Sequence, residues 1–273
     1  TEKVTEAGTE QGSEKATEAA KEEKADAGEL RTYKLGVNGS DHEEWEKANE
    51  LLAKDNIKVE MVEFSDYVKP NEALEDGEID LNAFQTEIYF NNFVKERGYT
   101  DLGILAYTQV APMGIYSSKY KSLDEATGHL IIAIPNDVTN GGRALKFLEK
   151  NGFLTLKKEA GLTPTVMDIE KYNKDVEIVE MVATQIPASL PDLSFACINN
   201  GVAKDAGLTL KNDAIVYEDY KEPDMKNYWN IIAAKKDRIE SEDFQKIKKA
   251  YNSDEVKQVV LEHYDGQSIP VWD

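Results

Sequence analysis

From Tyr33 onward the sequence alternates short apolar, strand-like runs with amphipathic helical runs, and this alternation constrains the fold more than any other feature. "TYKLGV", the alternating "KVEMVEF" and "IDLNAF" read as strands. Among them stands the helix "SDHEEWEKANELLAKDN", with Trp45, Ala48, Leu51 and Leu52 on one face and Ser40 or Asp41 as its cap. The short helix "PNEALEDG" ends at Gly77, and "EIYFNNFVKERG" stops at Gly98. A second series begins at "LIIAI" and runs through the helix "GRALKFLEKNG", the strand "VEIVEMV", a short "PASLPD" segment, the strand "SFACIN" and the helix "NGVAKDAG". Such alternation predicts an α/β fold with mostly parallel sheets and helices on both faces.

Two apolar, extended-looking stretches separate the series, "LGILAYTQVAPMGIYSSKY" (102–120) and "NYWNIIAAK" (227–235). Two α/β units joined by two crossings make a hinged pair of lobes with a cleft between them, the usual place for a small ligand. The terminal helices "SEDFQKIKKAYN" and "SDEVKQVVLEHY", each with Ser at its N-cap, are expected to return to the first lobe. The implied division puts 31–111 and 229–273 in one lobe and 112–228 in the other. Residues 1–30 are Glu, Lys, Ala, Thr and Gly with almost no large apolar side chain, so they cannot offset the entropy of ordering. They read as a disordered acidic tether, spanning about 30 Å root-mean-square if flexible.

Several function classes are excluded or weakened. With 52 acidic against 32 basic residues the net charge is −20, which disfavours nucleic acid and anionic membrane faces. Partners reached by charge are basic or zwitterionic. No stretch reaches the roughly 18 consecutive apolar residues of a membrane helix, and the first residues are not a signal peptide. Cys197, the single cysteine, reads from its apolar flanks as a small buried hydrophobe and gives no compartment. His42, His129 and His263 are scattered, without ligand spacing, and read as surface or packing residues. No EF-hand order of acids, GxSxG or nucleophile with its base occurs, so neither an enzyme, a metal nor a cofactor is expected.

The stretch "PNDVTNGGRAL" carries more information. Pro135 and Asn136 end a strand, Asn140, Gly141 and Gly142 permit positive φ, and Arg143 is expected in the first turn of the following helix, where free N–H groups favour an anion. An arginine there can grip a carboxylate bidentately. GxGxxG and GxxxxGK[ST] are both missing, so a nucleotide is poorly supported. Spacing alone leaves two readings open: a carboxylate binder, or an ordinary turn with a surface arginine. Tyr67, Phe84, Tyr89 and Phe90 lie at strand ends or helix starts, where open α/β sheets present loops to ligand. Asn199 and Asn200 end a strand and Asn230 interrupts the second crossing. Core packing for the aromatics and turn formation for the Asn residues are the plainer alternatives.

Taken together, "EFSDYVKPNEALEDGEIDLNAFQ", "IPNDVTNGGRAL", "ATQIPASLPD", "ACINNGVAKDAGL" and "YWNIIAAKKD" resemble, in order and spacing, the methionine-binding lipoproteins of the NlpA and MetQ type. The similarity covers about residues 32 to 272. It implies a two-lobed type II periplasmic-binding-protein fold, in which two crossing segments join α/β lobes that close over an amino acid and deliver it to an ABC permease and its ATPase. It implies a binding protein on the cell surface or in the periplasm, held by an N-terminal lipid. The family's anchoring cysteine is not in this sequence, so the anchor is expected upstream of Thr1, with the acidic leader as tether.

The resemblance also implies site roles. Arg143 takes the ligand carboxylate, Asn199 and Asn230 bond the ligand's amine and carboxylate, and Tyr67, Phe84 and Tyr89 wall the side-chain pocket. Three positions depart from the family pattern: Thr86 replaces a His in "NAFQT", Ala111 an aromatic in "VAPMG", and Val202 a tyrosine in "INNGVA". Three smaller residues predict a roomier or differently shaped site. Methionine, L or D, leads as ligand, with another amino acid or a Met-containing dipeptide as alternatives. A surface adhesin with a vestigial cleft is the reading from a different class.

Overall fold

The structure, a computed structural model, describes residues 28–272. Nearly all of the acidic leader, and with it the expectation of a disordered tether, lies outside the described residues. Two sheets organise the rest. One has six strands in the order Ile269–Pro270, Leu102–Val110, Trp229–Lys235, Leu81–Asn82, Arg31–Asn38 and Ile57–Phe64. The other has five, in the order Ala214–Tyr217, Gly114–Tyr116, Phe195–Ile198, Leu130–Pro135 and Val176–Met181. We refer to each sheet with its helices as a lobe.

Parallel pairing is confined to the βα series themselves. Arg31–Asn38 pairs in parallel with both Ile57–Phe64 and Leu81–Asn82, and Leu130–Pro135 with both Phe195–Ile198 and Val176–Met181. The crossings instead pair antiparallel, Trp229–Lys235 against Leu102–Val110 and Gly114–Tyr116 against Phe195–Ile198. Both sheets are therefore mixed. A strand that leaves one lobe and another that returns to it must run in opposite directions, which a βαβ alternation does not reveal.

On one face of the six-stranded sheet, the helices Glu43–Leu52, Glu242–Tyr251 and Asp254–His263 share a core in which Trp45, Phe244 and Tyr251 are fully buried. Each such side chain contributes about 1.5–3 kcal/mol by leaving water. The two terminal helices are capped by Ser241 and Ser253, which accept from the N–H groups of Phe244 and Val256, and they pack on the first lobe. Gly98 ends its helix in the left-handed region, at φ 70°.

The helix Glu43–Leu52 begins later than expected: its N-cap is His42, without a side-chain cap bond, because Asp41 faces Lys204 and His263 instead. "IDLNAF" supplies only a two-residue strand, since the amides of Asn82 and Gln85 turn into a buried cluster. The strands Leu154–Leu156, Ile169–Tyr172 and Ala214–Tyr217 are additions to the sequence-based pattern.

Candidate functional site

Between the lobes lies a cleft of about 800 Å³, lined by strand ends and helix starts from both sheets. Tyr67, Phe84, Thr86, Tyr89, Arg143, Asn199 and Asn230, the seven candidates from sequence, all line it, as do Ala111 and Val202. Their local settings differ from expectation in one main respect.

The helix after "IPND" starts at Val138, not at Gly142, because the carboxylate of Asp137 caps it, accepting from Asn140 N–H at 2.8 Å and from the Thr139 hydroxyl at 2.9 Å. Gly141 and Gly142 are thus helical, and neither is among the positive-φ glycines. They serve close packing: a Cβ on Gly141 meets the Pro135 carbonyl oxygen at 2.7 Å, and one on Gly142 meets the Thr163 backbone at 2.9 Å. Arg143 is therefore the sixth residue of the helix Val138–Lys150, one turn deeper than its first free N–H groups, and only 3% exposed. It is neither a first-turn nor a surface arginine.

Burial of a guanidinium demands partners. Arg143 Nε donates to both oxygens of Glu218 at 3.0 and 3.1 Å, and Nη2 donates to Glu218 Oε2 and to the Ala111 carbonyl at 2.9 Å. The plane lies over the Tyr228 ring, 4.3 Å from its centroid. Among the described residues Nη1 has no protein acceptor, and because Arg143 lines the cleft the two N–H donors on this nitrogen are the ones left unused.

A chain of amides fixes the neighbouring group. Asp137 can only accept, so it orients the Asn140 amide NH₂ toward itself, at 3.0 and 3.1 Å. Asn140 Oδ1 then faces Asn199 and accepts from its Nδ2 at 2.8 Å. What remains is Asn199 Oδ1, buried and, among the described residues, without a partner, an acceptor suited to an ammonium.

Across the cleft, Tyr67, Phe84 and Tyr89 form a triangle of rings with centroids 5.9–6.2 Å apart. Tyr89 donates its hydroxyl to the Tyr67 carbonyl at 2.9 Å, and burial pushes both phenols above the ordinary tyrosine value, so they stay neutral. Thr86 caps the helix Glu87–Arg97 by accepting from Tyr89 N–H, and pairs by a single β-bridge with Asn230 in the second crossing. Two amides of the segment 82–86, Asn82 and Gln85, join Asn71 in a buried cluster. Asn71 and Gln85 exchange two bonds at 2.8 and 2.7 Å, and Asn82 joins both.

On another wall, Lys204 of the second lobe reaches the first. Its ammonium lies 2.8 Å from Asp41, 3.3 Å from His263 Nε2 and 3.9 Å from the Tyr264 ring centroid. Burial alone raises the Asp41 pKa, but the bonds from Lys204 and His263 hold its carboxyl below the usual value. Asp41, Glu43 and His263 stand close enough to share a metal ion, yet the lysine ammonium already supplies the cation there. Cys197 is fully buried and its thiol is pushed up by burial, in keeping with a packing role.

The profile of the NlpA lipoprotein family matches residues 33–272. The chain belongs to that family. It is 40% identical over 243 residues to the D-methionine-binding lipoprotein MetQ of Escherichia coli K12, covering 88% of each chain. Among solved structures it is similar to a nutrient binding protein from Burkholderia cenocepacia bound to methionine, at 35% identity and TM-score 0.82, covering 88% of this chain and 100% of that one. It is also similar to the substrate binding protein of a methionine transporter from Streptococcus pneumoniae, at 37% identity and TM-score 0.83, covering 88% and 96%. The fold of this NlpA-family chain is that of the periplasmic substrate-binding proteins. Among the described residues no helix is long and apolar enough to cross a membrane.

The NlpA resemblance did not point to Asn140, Glu218, Lys204 or the Asn71–Asn82–Gln85 cluster. Asn140 is hinted at by the Asx start "NDVTN", and the amide cluster by three amides in a strand-like context. Glu218 carries no signal, being one acid among several in "YEDYKEP".

Proposed function

We propose that this chain is an extracytoplasmic solute-binding lipoprotein that captures methionine, L or D, in the inter-lobe cleft and passes it to an ABC permease and its ATPase. One observation carries the reading: two residues that, among the described residues, leave a guanidinium nitrogen without a protein acceptor and a buried amide oxygen without a donor line one cleft together with three aromatic rings. In this reading the ligand carboxylate takes Arg143 Nη1, its ammonium takes Asn199 Oδ1, and Asn230 adds a bond to either. The thioether packs among Tyr67, Phe84 and Tyr89, where sulfur gains polarizable contacts with the rings. Residues 31–111 with 229–273 form one closing body and 112–228 the other. Ligand favours closure by touching both. The role is binding, not catalysis, and the names of the relatives support it. The family's description as lipoproteins supports an N-terminal lipid as the membrane tether.

The cleft volume, toward the upper end of the roughly 300–1,000 Å³ of small-molecule sites, leaves a second reading in which a Met-containing dipeptide or another amino acid binds. The smaller Thr86, Ala111 and Val202 fit that reading too. Calorimetric titration of ligand-stripped protein with L-Met, D-Met and Gly-Met separates these cases. Heat with at least one is expected; silence with these and with other amino acids sinks the receptor reading and leaves the adhesin alternative.

A further inference from the structure

Glu218 directly follows the strand Ala214–Tyr217, is 9% exposed, and its carboxylate accepts from three donors. It accepts from Arg143 Nε and Nη2, and its Oε2 accepts from the Met113 backbone N–H at 2.7 Å. Arg143 is thus already neutralised, and tied to the first crossing, before any ligand arrives. The other cation of the cleft, Lys204, is matched by Asp41. Its remaining lining acids, Glu44, Glu63 and Asp205, add negative charge. No uncompensated cation faces the ligand among the described residues.

We propose that Glu218 makes the cleft discriminate against monoanions, accepting zwitterions and rejecting the corresponding carboxylates that lack an ammonium. The inference rests on the reading of Arg143 as holder of the ligand carboxylate. A carboxylate on Nη1 shares one guanidinium with Glu218 and makes the site one charge more negative. A zwitterion cancels that charge with its own ammonium beside Asn199 Oδ1. A monoanion has nothing to cancel it, and at the effective dielectric of a partly buried site one unbalanced charge changes affinity by about tenfold to a hundredfold. Glu218 touches Arg143, not the ligand, and acts as a positioning and charge-setting residue.

The test compares L-Met with two analogues lacking the ammonium, 4-(methylthio)butanoate and its neutral primary amide, by calorimetry on wild-type protein and on Glu218→Gln. In wild type the neutral amide is expected to bind more tightly than the carboxylate, the reverse of the order for an arginine without a counter-ion. In Glu218→Gln the carboxylate is expected to overtake the amide, with the ratio moving by about tenfold or more. A wild type that binds L-Met but prefers the carboxylate to the amide overturns the inference and leaves the receptor reading intact. An unchanged ratio in a folded Glu218→Gln overturns it as well. A wild type that ignores L-Met removes the receptor reading and this inference together. The wild-type arm decides the matter even where the variant does not fold.

Discussion

Replacing Arg143 by Met tests how the buried pair is built. The substitution keeps an apolar stem of comparable length but removes every donor that Arg143 supplies to Glu218, leaving the Met113 N–H as the carboxylate's remaining partner. The Ala111 carbonyl and the Tyr228 ring lose their contacts with the cation. Removing one partner of a buried ion pair costs about 3–5 kcal/mol, because the other charge stays behind without compensation. At about 2–4 °C per kcal/mol for a chain of this size, the midpoint of thermal unfolding should fall by roughly 6–20 °C. The double variant Arg143→Met with Glu218→Gln removes both charges and should regain about 2 kcal/mol or more relative to the sum of the singles. Scanning calorimetry of the four proteins without ligand gives the cycle. A single Arg143→Met variant within about 2 °C of wild type, or a double variant no better than additive, would show that the pair is not a buried unit. Loss of binding in an Arg143→Ala or Arg143→Met protein is accordingly weak evidence by itself, since the fold is perturbed at the same time.

Asn71→Ala takes from Gln85 Oε1 its donor and from the amide nitrogens of Asn82 and Gln85 an acceptor, in a cluster with no exposure at Asn71, so unfolding free energy should drop by about 2–4 kcal/mol in denaturant titrations; a drop under about 1 kcal/mol contradicts the cluster's role. Lys204→Ala removes the lobe-to-lobe contacts with Asp41 and Tyr264, which are partly exposed and contribute only about 0.5–1 kcal/mol each to stability. Faster release of bound ligand in stopped-flow measurements is expected, and an unchanged release rate refutes a latching role. For His42 burial lowers the pKa, but the hydrogen bond and charge of Glu44 outweigh it and the net shift is upward. A raised folded value means the contribution is fully present below the unfolded pKa of about 6.5 and fades as pH rises through the folded one. His42→Gln should flatten that part of the stability–pH curve, whereas an identical curve in the variant argues against the His42–Glu44 contact.

The parts of the fold written in local pattern were legible. The Ser241 and Ser253 caps, the Gly98 stop and the strands Arg31–Asn38 and Ile57–Phe64 follow from residue chemistry within a few positions. What escaped was set by groups distant in sequence. Arg143 was expected at a helix N-terminus because two glycines resemble a turn, but Asp137 starts the helix earlier, and the glycines admit the Pro135 carbonyl and the Thr163 backbone. Its partner Glu218 is 75 positions away, and nothing local in "YEDYKEP" distinguishes that acid from its neighbours. The antiparallel crossings were invisible for the same reason, since pairing direction depends on how the chain returns. The candidate residues were found as a set by resemblance, and their cleft location is observed here. The ligand roles proposed for Arg143 and Asn199 rest on the donor and acceptor that these two side chains leave unused among the described residues.

The most direct test of the account is a crystal structure of the protein with L-methionine bound. The account predicts the carboxylate about 3 Å from Arg143 Nη1 with the Arg143–Glu218 pair intact, the ammonium on Asn199 Oδ1, and the thioether among Tyr67, Phe84 and Tyr89. A carboxylate held by Lys204, with Arg143 Nη1 left without a ligand contact, would contradict it.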